Sequence, residues 1–243
     1  MKSNGFIRNL LRFVAAPLAM GAALFGQPAP STFQTSTINV GCNPLNVVTG
    51  DFNGDRIADL AFVCSANSAN PIMVLLGNGD GTLRTPLGVA GPALGTGVGN
   101  KLIATDLDRD GKTDLAYISA AGTLIVMIST GGGAFRSLAT TPANTKLSLA
   151  AAADLNGDGF PDLIFISGLN DSLVTWTTGR GDGTFATPTV VAWPQSALEP
   201  NGVDPAPHAV NVVTADFNGD GKPDITIAVS RMQNPGAAGV LHP

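Results

Sequence analysis

A chain of 243 residues with 44% hydrophobic content has enough apolar side chain for a sizeable core, and its 30 Gly and 17 Pro suit many turns and short strands rather than long amphipathic helices. The formal net charge is −5, and the 13 Lys and Arg are dispersed without interleaved aromatics, which argues against nucleic acid as a partner. Acidity is local: of the 18 acids only Glu199 is not Asp, and 13 Asp fall in four short stretches, so the charge reads as that of cation-binding loops rather than of a solvated acidic surface.

At the N-terminus Lys2, Arg8 and Arg12 precede the apolar stretch 13–25, which Pro17 interrupts. That is the make-up of a signal-peptide core, and it is too short to span a bilayer. Cleavage is expected between Ala22 and Ala29, with an uncleaved anchor as the alternative, and no Cys follows closely enough for lipoprotein processing. Residues 1–31 are therefore read as a leader or anchor with a short linker, and 32–243 as an exported domain that is secreted, periplasmic or at the cell surface. Next along the chain, Thr32–Thr35 and Ile38–Val40 match the last strand of a unit whose beginning is missing. Cys42 and Cys64, the only thiols, flank the first acidic loop. An oxidising compartment permits a disulfide, but a simple hairpin centred on Asp55 sets Cys64 opposite Asn46 and leaves Cys42 out of register, so bridged and free buried cysteines both stay open.

Four copies of one nine-residue pattern then organise the chain, at 51–59, 106–114, 154–162 and 216–224. Positions 1, 3, 5 and 9 carry oxygen side chains: Asp51, Asn53, Asp55 and Asp59; Asp106, Asp108, Asp110 and Asp114; Asp154, Asn156, Asp158 and Asp162; Asp216, Asn218, Asp220 and Asp224. Hard cations of calcium's size take six to eight oxygen ligands at about 2.3–2.6 Å, and a short loop of alternating Asp and Asn wraps such an ion readily. An EF-hand is excluded, because its bidentate Glu at position 12 is replaced by Phe62, Tyr117, Phe165 and Ile227. After position 9 comes a short apolar run, 60–63, 115–118, 163–166 and 225–229, which reads as a buried strand. Position 6 is Gly111, Gly159 and Gly221 in the later loops but Arg56 in the first. If that position is left-handed, the first loop carries strain. The second, with Asp108 in place of Asn, carries more charge, so the first is expected to bind weakest and the second tightest.

A second motif succeeds each of the first three loops in fixed register: Gly77–Leu83, Ser129–Phe135 and Gly179–Phe185. Its Gly-Asp-Gly or Gly-Gly-Gly centre supplies the left-handed positions of a tight hairpin. The segments before it, 72–76, 124–128 and 173–176, are a third strand, and those after it a fourth. The unit is thus strand, acidic loop, strand, strand, hairpin, strand, and a Pro-rich insertion at 192–207 lengthens the interval before the last loop.

Four antiparallel strands per repeat of about 40–60 residues make a β-propeller blade, and the joint register of loop and hairpin resembles the FG-GAP/VCBS repeat family, the calcium-loop propellers of integrin α subunits and of many exported bacterial proteins. The resemblance covers residues 32–243. It implies an all-β fold, a β-propeller of four-stranded antiparallel blades with about three full blades and a split or partial fourth. It also implies up to four Ca2+ ions held by the oxygen side chains at positions 1, 3, 5 and 9 and by the backbone carbonyls of Ile57, Lys112, Phe160 and Lys222 at position 7. The family usually closes with seven blades. A small ring closed by the N-terminal strand, an open arc, a fragment of a longer product and closure with a second chain all stay open.

Catalytic residues are not expected. His208 and His242 belong to no Ser/His/Asp set, and the Gly clusters are hairpins rather than a phosphate loop. Arg180-Gly181-Asp182 spells an adhesion tripeptide, but it coincides with the repeated turn, where the first unit has Asn78-Gly79-Asp80. Outside the acidic loops only Asp80, Asp171, Asp182, Asp204 and Glu199 remain. The expectation is a non-catalytic module for adhesion to, or recognition of, an extracellular protein or glycan. The alternative is a propeller-type extracellular enzyme, such as a polysaccharide lyase or hydrolase, or a non-catalytic portion of one. The insertion 192–207, with Trp193 and Glu199, suits a binding role as well as an idle one.

Overall fold

The computed structural model describes residues 10–15, 34–64, 70–92, 101–142, 147–167, 174–191, 208–230 and 237–241. The insertion 192–207, the apolar stretch from Ala16 onward, and Asp171, Glu199, Asp204 and His242 lie outside them. Among the described residues the regular structure is all strand. The first unit contains β3 (Pro44–Gly50), β4 (Asp59–Cys64), β5 (Ile72–Leu75) and β6 (Leu87–Val89), and the second β7 (Ile103–Thr105), β8 (Asp114–Ile118), β9 (Thr123–Gly131) and β10 (Ala134–Pro142). The third has β11 (Leu147–Ala153), β12 (Asp162–Ser167), β13 (Val174–Thr177) and β14 (Thr189–Val191), and the fourth β15 (His208–Ala215), β16 (Asp224–Ser230) and β17 (Ala237–Leu241). Each unit is one antiparallel sheet with its strands in chain order, three of them four-stranded and the last three-stranded. These are propeller blades, three full and one partial.

Alternation along the second strand of each blade assembles the arc. Position 12 points back to the preceding blade, and Phe62, Tyr117, Phe165 and Ile227 are all at most 1% exposed, which is why no acid stands there. Positions 11 and 13 point forward. Thus Phe52, Ala61 and Val63 pack against Leu115, Tyr117 and Met127 of the second blade. Leu107, Ala116 and Ile118 meet Leu149, Leu163 and Phe165 of the third, and Leu155, Ile164 and Ile166 meet Val212, Ile225 and Ile227 of the fourth. Burying one such side chain fully stabilises by about 1.5–3 kcal/mol, so the blades are held by three apolar seams rather than by shared hydrogen-bond ladders.

The N-terminal strands pair with each other. β2 (Gln34–Asn39) pairs antiparallel with β1 (Leu10–Ala15), which overlaps the apolar stretch read as a leader. It does not join β15–β17, so it closes no fourth blade here. Ile38 of β2, with Val40 and Cys42 after it, covers the backward face of the first blade at Phe62, Cys64 and Leu75.

Cys42 and Cys64 are bridged, with a Cα–Cα distance of 5.6 Å. The simple hairpin register fails because β3 is bulged between Leu45 and Val48, so that Pro44 rather than Asn46 faces Cys64. Asn46, in the bulge, is left-handed at φ 49°, a conformation that Asn tolerates better than most residues. Similar register shifts fall in the first strands of the third and fourth blades, between Leu149 and Ala151 and between Ala209 and Asn211.

The glycine motifs also differ between blades. In the second, Gly131–Gly133 closes a tight β9–β10 turn. In the first and third, the strands part earlier, and an isolated bridge, Gly77 to Leu83 or Gly179 to Phe185, pins a longer turn. There the Asp80 carboxylate accepts from both the amide and the hydroxyl of Thr82, as Asp182 does from Thr184. Arg180 donates to the carbonyl of Phe185. The adhesion-like tripeptide is therefore spent on its own turn.

Candidate metal centres on one rim

In all four blades the residue before position 1 pairs with position 9, Gly50 with Asp59, Thr105 with Asp114, Ala153 with Asp162 and Ala215 with Asp224. The eight residues between form the same loop each time. Its chain must turn through left-handed conformations twice. Position 6 has φ of 65° at Arg56, 84° at Gly111, 84° at Gly159 and 85° at Gly221, as the sequence pattern suggested. Position 4 is equally left-handed, at Gly54, Arg109, Gly157 and Gly219, with φ of 82°, 60°, 77° and 80°. The second loop therefore carries at Arg109 the strain that the first carries at Arg56, about 1 kcal/mol each, and strain does not separate the two sites.

These turns aim amides at the carboxylates. In the first loop Asp51 Oδ1 accepts from the amides of Gly54 (2.7 Å) and Asp55 (3.1 Å), and Oδ2 from that of Arg56 (2.7 Å). Burial pushes this carboxyl up, but four loop amides together pull it below its ordinary range. Asp154 and Asp216 are held the same way by Gly157 and Gly159 and by Gly219 and Gly221. Position 5 accepts from the amide of position 7 at 2.8 Å in every loop, Asp55 from Ile57, Asp110 from Lys112, Asp158 from Phe160 and Asp220 from Lys222. In the first, third and fourth loops the position-3 Asn also donates to the position-5 Asp.

Position 9 has a structural task that the sequence pattern did not disclose. Asp59, Asp114, Asp162 and Asp224 are 0% exposed. One oxygen of each accepts from the amide of position 2, that of Phe52, Leu107, Leu155 or Phe217, at 2.7–3.0 Å. In the three full blades the other oxygen accepts from the residue opening the glycine motif, Gly77, Ser129 or Gly179, at 2.8–2.9 Å. That tie explains the fixed register of loop and hairpin, the signal that could have revealed it. Burial raises the pKa of Asp59 and Asp162, and it pushes Asp114 from 3.8 up to about 6 against the amides of Ser129 and Leu107, with the charges of Asp108 and Asp106 adding to the rise.

The second loop is the one arranged differently. Without a glycine at position 4, it leaves Asp106 Oδ1 buried with no hydrogen-bond partner, while Oδ2 accepts from Gly111 at 3.0 Å. Carboxylate oxygens of Asp106, Asp108 and Asp114 converge to within 4.8 Å of one another. Asp110 is not among them, because Lys112 forms an ion pair with it. An orphaned buried carboxylate oxygen facing two further acids fits a hard divalent cation. In the other loops the first Asp is satisfied by amides alone.

Neighbouring loops also touch. The Thr113 amide donates to the Asp51 carbonyl at 2.7 Å, and its hydroxyl accepts from the Asp51 amide at 3.0 Å. The residue equivalent to Thr113 in the third and fourth loops is Pro161 or Pro223, which has no amide hydrogen. Between the second and third loops Arg109 takes over, donating to the Gly159 carbonyl and lying 4.3 Å from the centroid of the Phe160 ring.

A repeating blade with an acidic loop between its first two strands defines an acidic-loop type of propeller repeat. The FG-GAP-like repeat matches three overlapping, consecutive stretches, 51–117, 106–165 and 154–227, and the chain belongs to that family. No curated protein matches the chain.

Proposed function

We propose that this is an exported, calcium-binding propeller-repeat protein that serves in non-catalytic recognition of an extracellular protein or glycan. The observation that carries the calcium reading is the unpartnered Asp106 Oδ1 facing Asp108 and Asp114. A bound ion would give that oxygen its partner and offset the mutual repulsion of three carboxylates. Asp110 and the Lys112 carbonyl would complete the set once the Lys112 ammonium turns away, and the equivalent residues of the other three loops would do the same. Export is supported by the Cys42–Cys64 bridge, which suits an oxidising compartment. The non-catalytic reading is supported by Asp80 and Asp182, acids outside the metal loops that are occupied in their own turns.

The test is thermal melting with EDTA, calcium or magnesium. At about 1 mM calcium and a dissociation constant near 10⁻⁴ M, each site adds about 1.4 kcal/mol. The melting temperature is expected to fall with chelator and to recover with calcium but poorly with magnesium, whose smaller octahedral shell these loops do not match. An unchanged curve in EDTA would remove the calcium reading.

A further inference from the structure

The same blade-to-blade interface occurs three times among the described residues, and the first and fourth blades present the two halves of another. On the forward side, Phe52, Leu107 and Leu155 at position 2 are 0%, 2% and 8% exposed beneath the following blade, whereas Phe217 is 53% exposed. Three residues before the loop, Val48, Ile103 and Ala151 join the forward clusters, whereas Val213 is 51% exposed. On the backward side, Leu102 and Val212 are each 2% exposed against the preceding blade, whereas Val47 at the equivalent place is 47% exposed. Exposed apolar residues at matched places on the forward face of the fourth blade and the backward face of the first mark an interface.

We propose that two copies of this chain associate head to tail, the forward face of the fourth blade of each copy seating against β3 of the other and closing a two-fold ring. The occupant is fixed by continuity with the packing already present: β3 lies beside β7, β7 beside β11 and β11 beside β15, and each junction sets a forward face on a backward one. A forward-to-forward pairing would match like with like and leave Val47 in water. Closure within one chain would need the fourth blade to meet the first, and among the described residues no apolar cluster joins the two. The outer part of the first blade's backward face is already covered by Ile38 and Val40, so the new contact lies at the inner strands, where Val47 is open. A heterologous contact that closes yields a finite assembly rather than a fibre.

Analytical ultracentrifugation of the full chain in calcium tests this. Wild type should be dimeric at about 100 μM, and Val47→Asp and Phe217→Asp should each weaken the association at least about tenfold, being close to 1.4 kcal/mol or more. An equimolar mixture of the two variants should regain a dimer, because the intact backward face of Phe217→Asp can meet the intact forward face of Val47→Asp. Val213→Asp provides a second forward-face variant, and unchanged melting of each variant confirms that these exposed positions leave the fold intact. A monomeric wild type would overturn the proposal. So would a Val47→Asp chain that dimerises as wild type does, since that would place the contact on another face.

Discussion

Acidifying the metal-free protein from pH 7 to pH 4.5 should stabilise it, opposite to the usual behaviour of carboxylates. Asp114 is fully buried, and its carboxyl rises from 3.8 to about 6 through that burial, with Asp59 and Asp162 shifted in the same direction. A carboxyl whose pKa is raised on folding takes up its proton in the folded state before the unfolded chain does, so stability falls as pH rises from about 4 to about 6 and then levels. For Asp114 alone the shift corresponds to a ceiling of about 3 kcal/mol, which solvent reaching the loop reduces to about 1–2 kcal/mol. For a chain of this size that amounts to roughly 3–6 °C in melting temperature. Carboxyls shifted the other way, such as Asp158 through the Phe160 amide and Asp216 through the Gly221 amide, lose their contribution only below the ordinary carboxylate pKa, outside this window. With calcium present the sign should reverse, because protons compete with the ion for the same oxygens. The assay is melting at several pH values in EDTA and again in calcium, with Asp114→Asn alongside. A metal-free melting temperature that falls on acidification, or a slope that Asp114→Asn leaves unchanged, would refute the reasoning.

Two substitution series test the framework around the loops. Gly77→Ala and Gly179→Ala set a Cβ at 2.5 Å from the Ala58 carbonyl oxygen and 2.3 Å from that of Pro161, so each should lose about 1–3 kcal/mol in denaturant titration through forced backbone movement. Gly111→Ala, which meets nothing within 4 Å, should lose only about 1 kcal/mol for its left-handed backbone. Reduction, or Cys42→Ser with Cys64→Ser, opens a link across 22 residues and should cost about 3 kcal/mol, read as a shifted denaturation midpoint under oxidising conditions.

The parts of this fold legible from residues alone are those set by short-range pattern. Oxygen side chains at positions 1, 3, 5 and 9 with an apolar residue at 12 placed four loops between strands, and the glycine at position 6 foretold a left-handed turn that the backbone confirms at 65–85°. Position 4 carries the same signal as position 6, three glycines and one arginine, here Arg109, and was equally legible from the residues though not read from them. The bulge in β3 escaped for a different reason: one inserted residue leaves the alternation of Leu45 to Val48 unreadable, yet it moves Pro44 opposite Cys64 and brings Cys42 within bridging distance.

Position 9 shows most clearly why local reading stops where it does. Its acid looks like one more cation ligand, since nothing within the nine-residue pattern sets it apart from positions 1, 3 and 5. Only the partner amides, 18, 15 and 17 residues further on in the three full blades, show that it also ties the loop to the hairpin. A buried carboxylate that accepts two amides and also belongs to the proposed cation site would be needed for folding and for binding at once. Substituting it would confound the two, leaving positions 3 and 5 as the places where ion binding can be removed with the blade kept whole. Asn53→Ala should accordingly weaken calcium binding at the first loop while moving metal-free melting little, whereas Asp59→Ala strands the amides of Phe52 and Gly77 and should lose about 2–6 kcal/mol without any metal present. Equal metal-free melting of the two variants would show that the buried tie contributes nothing to the fold.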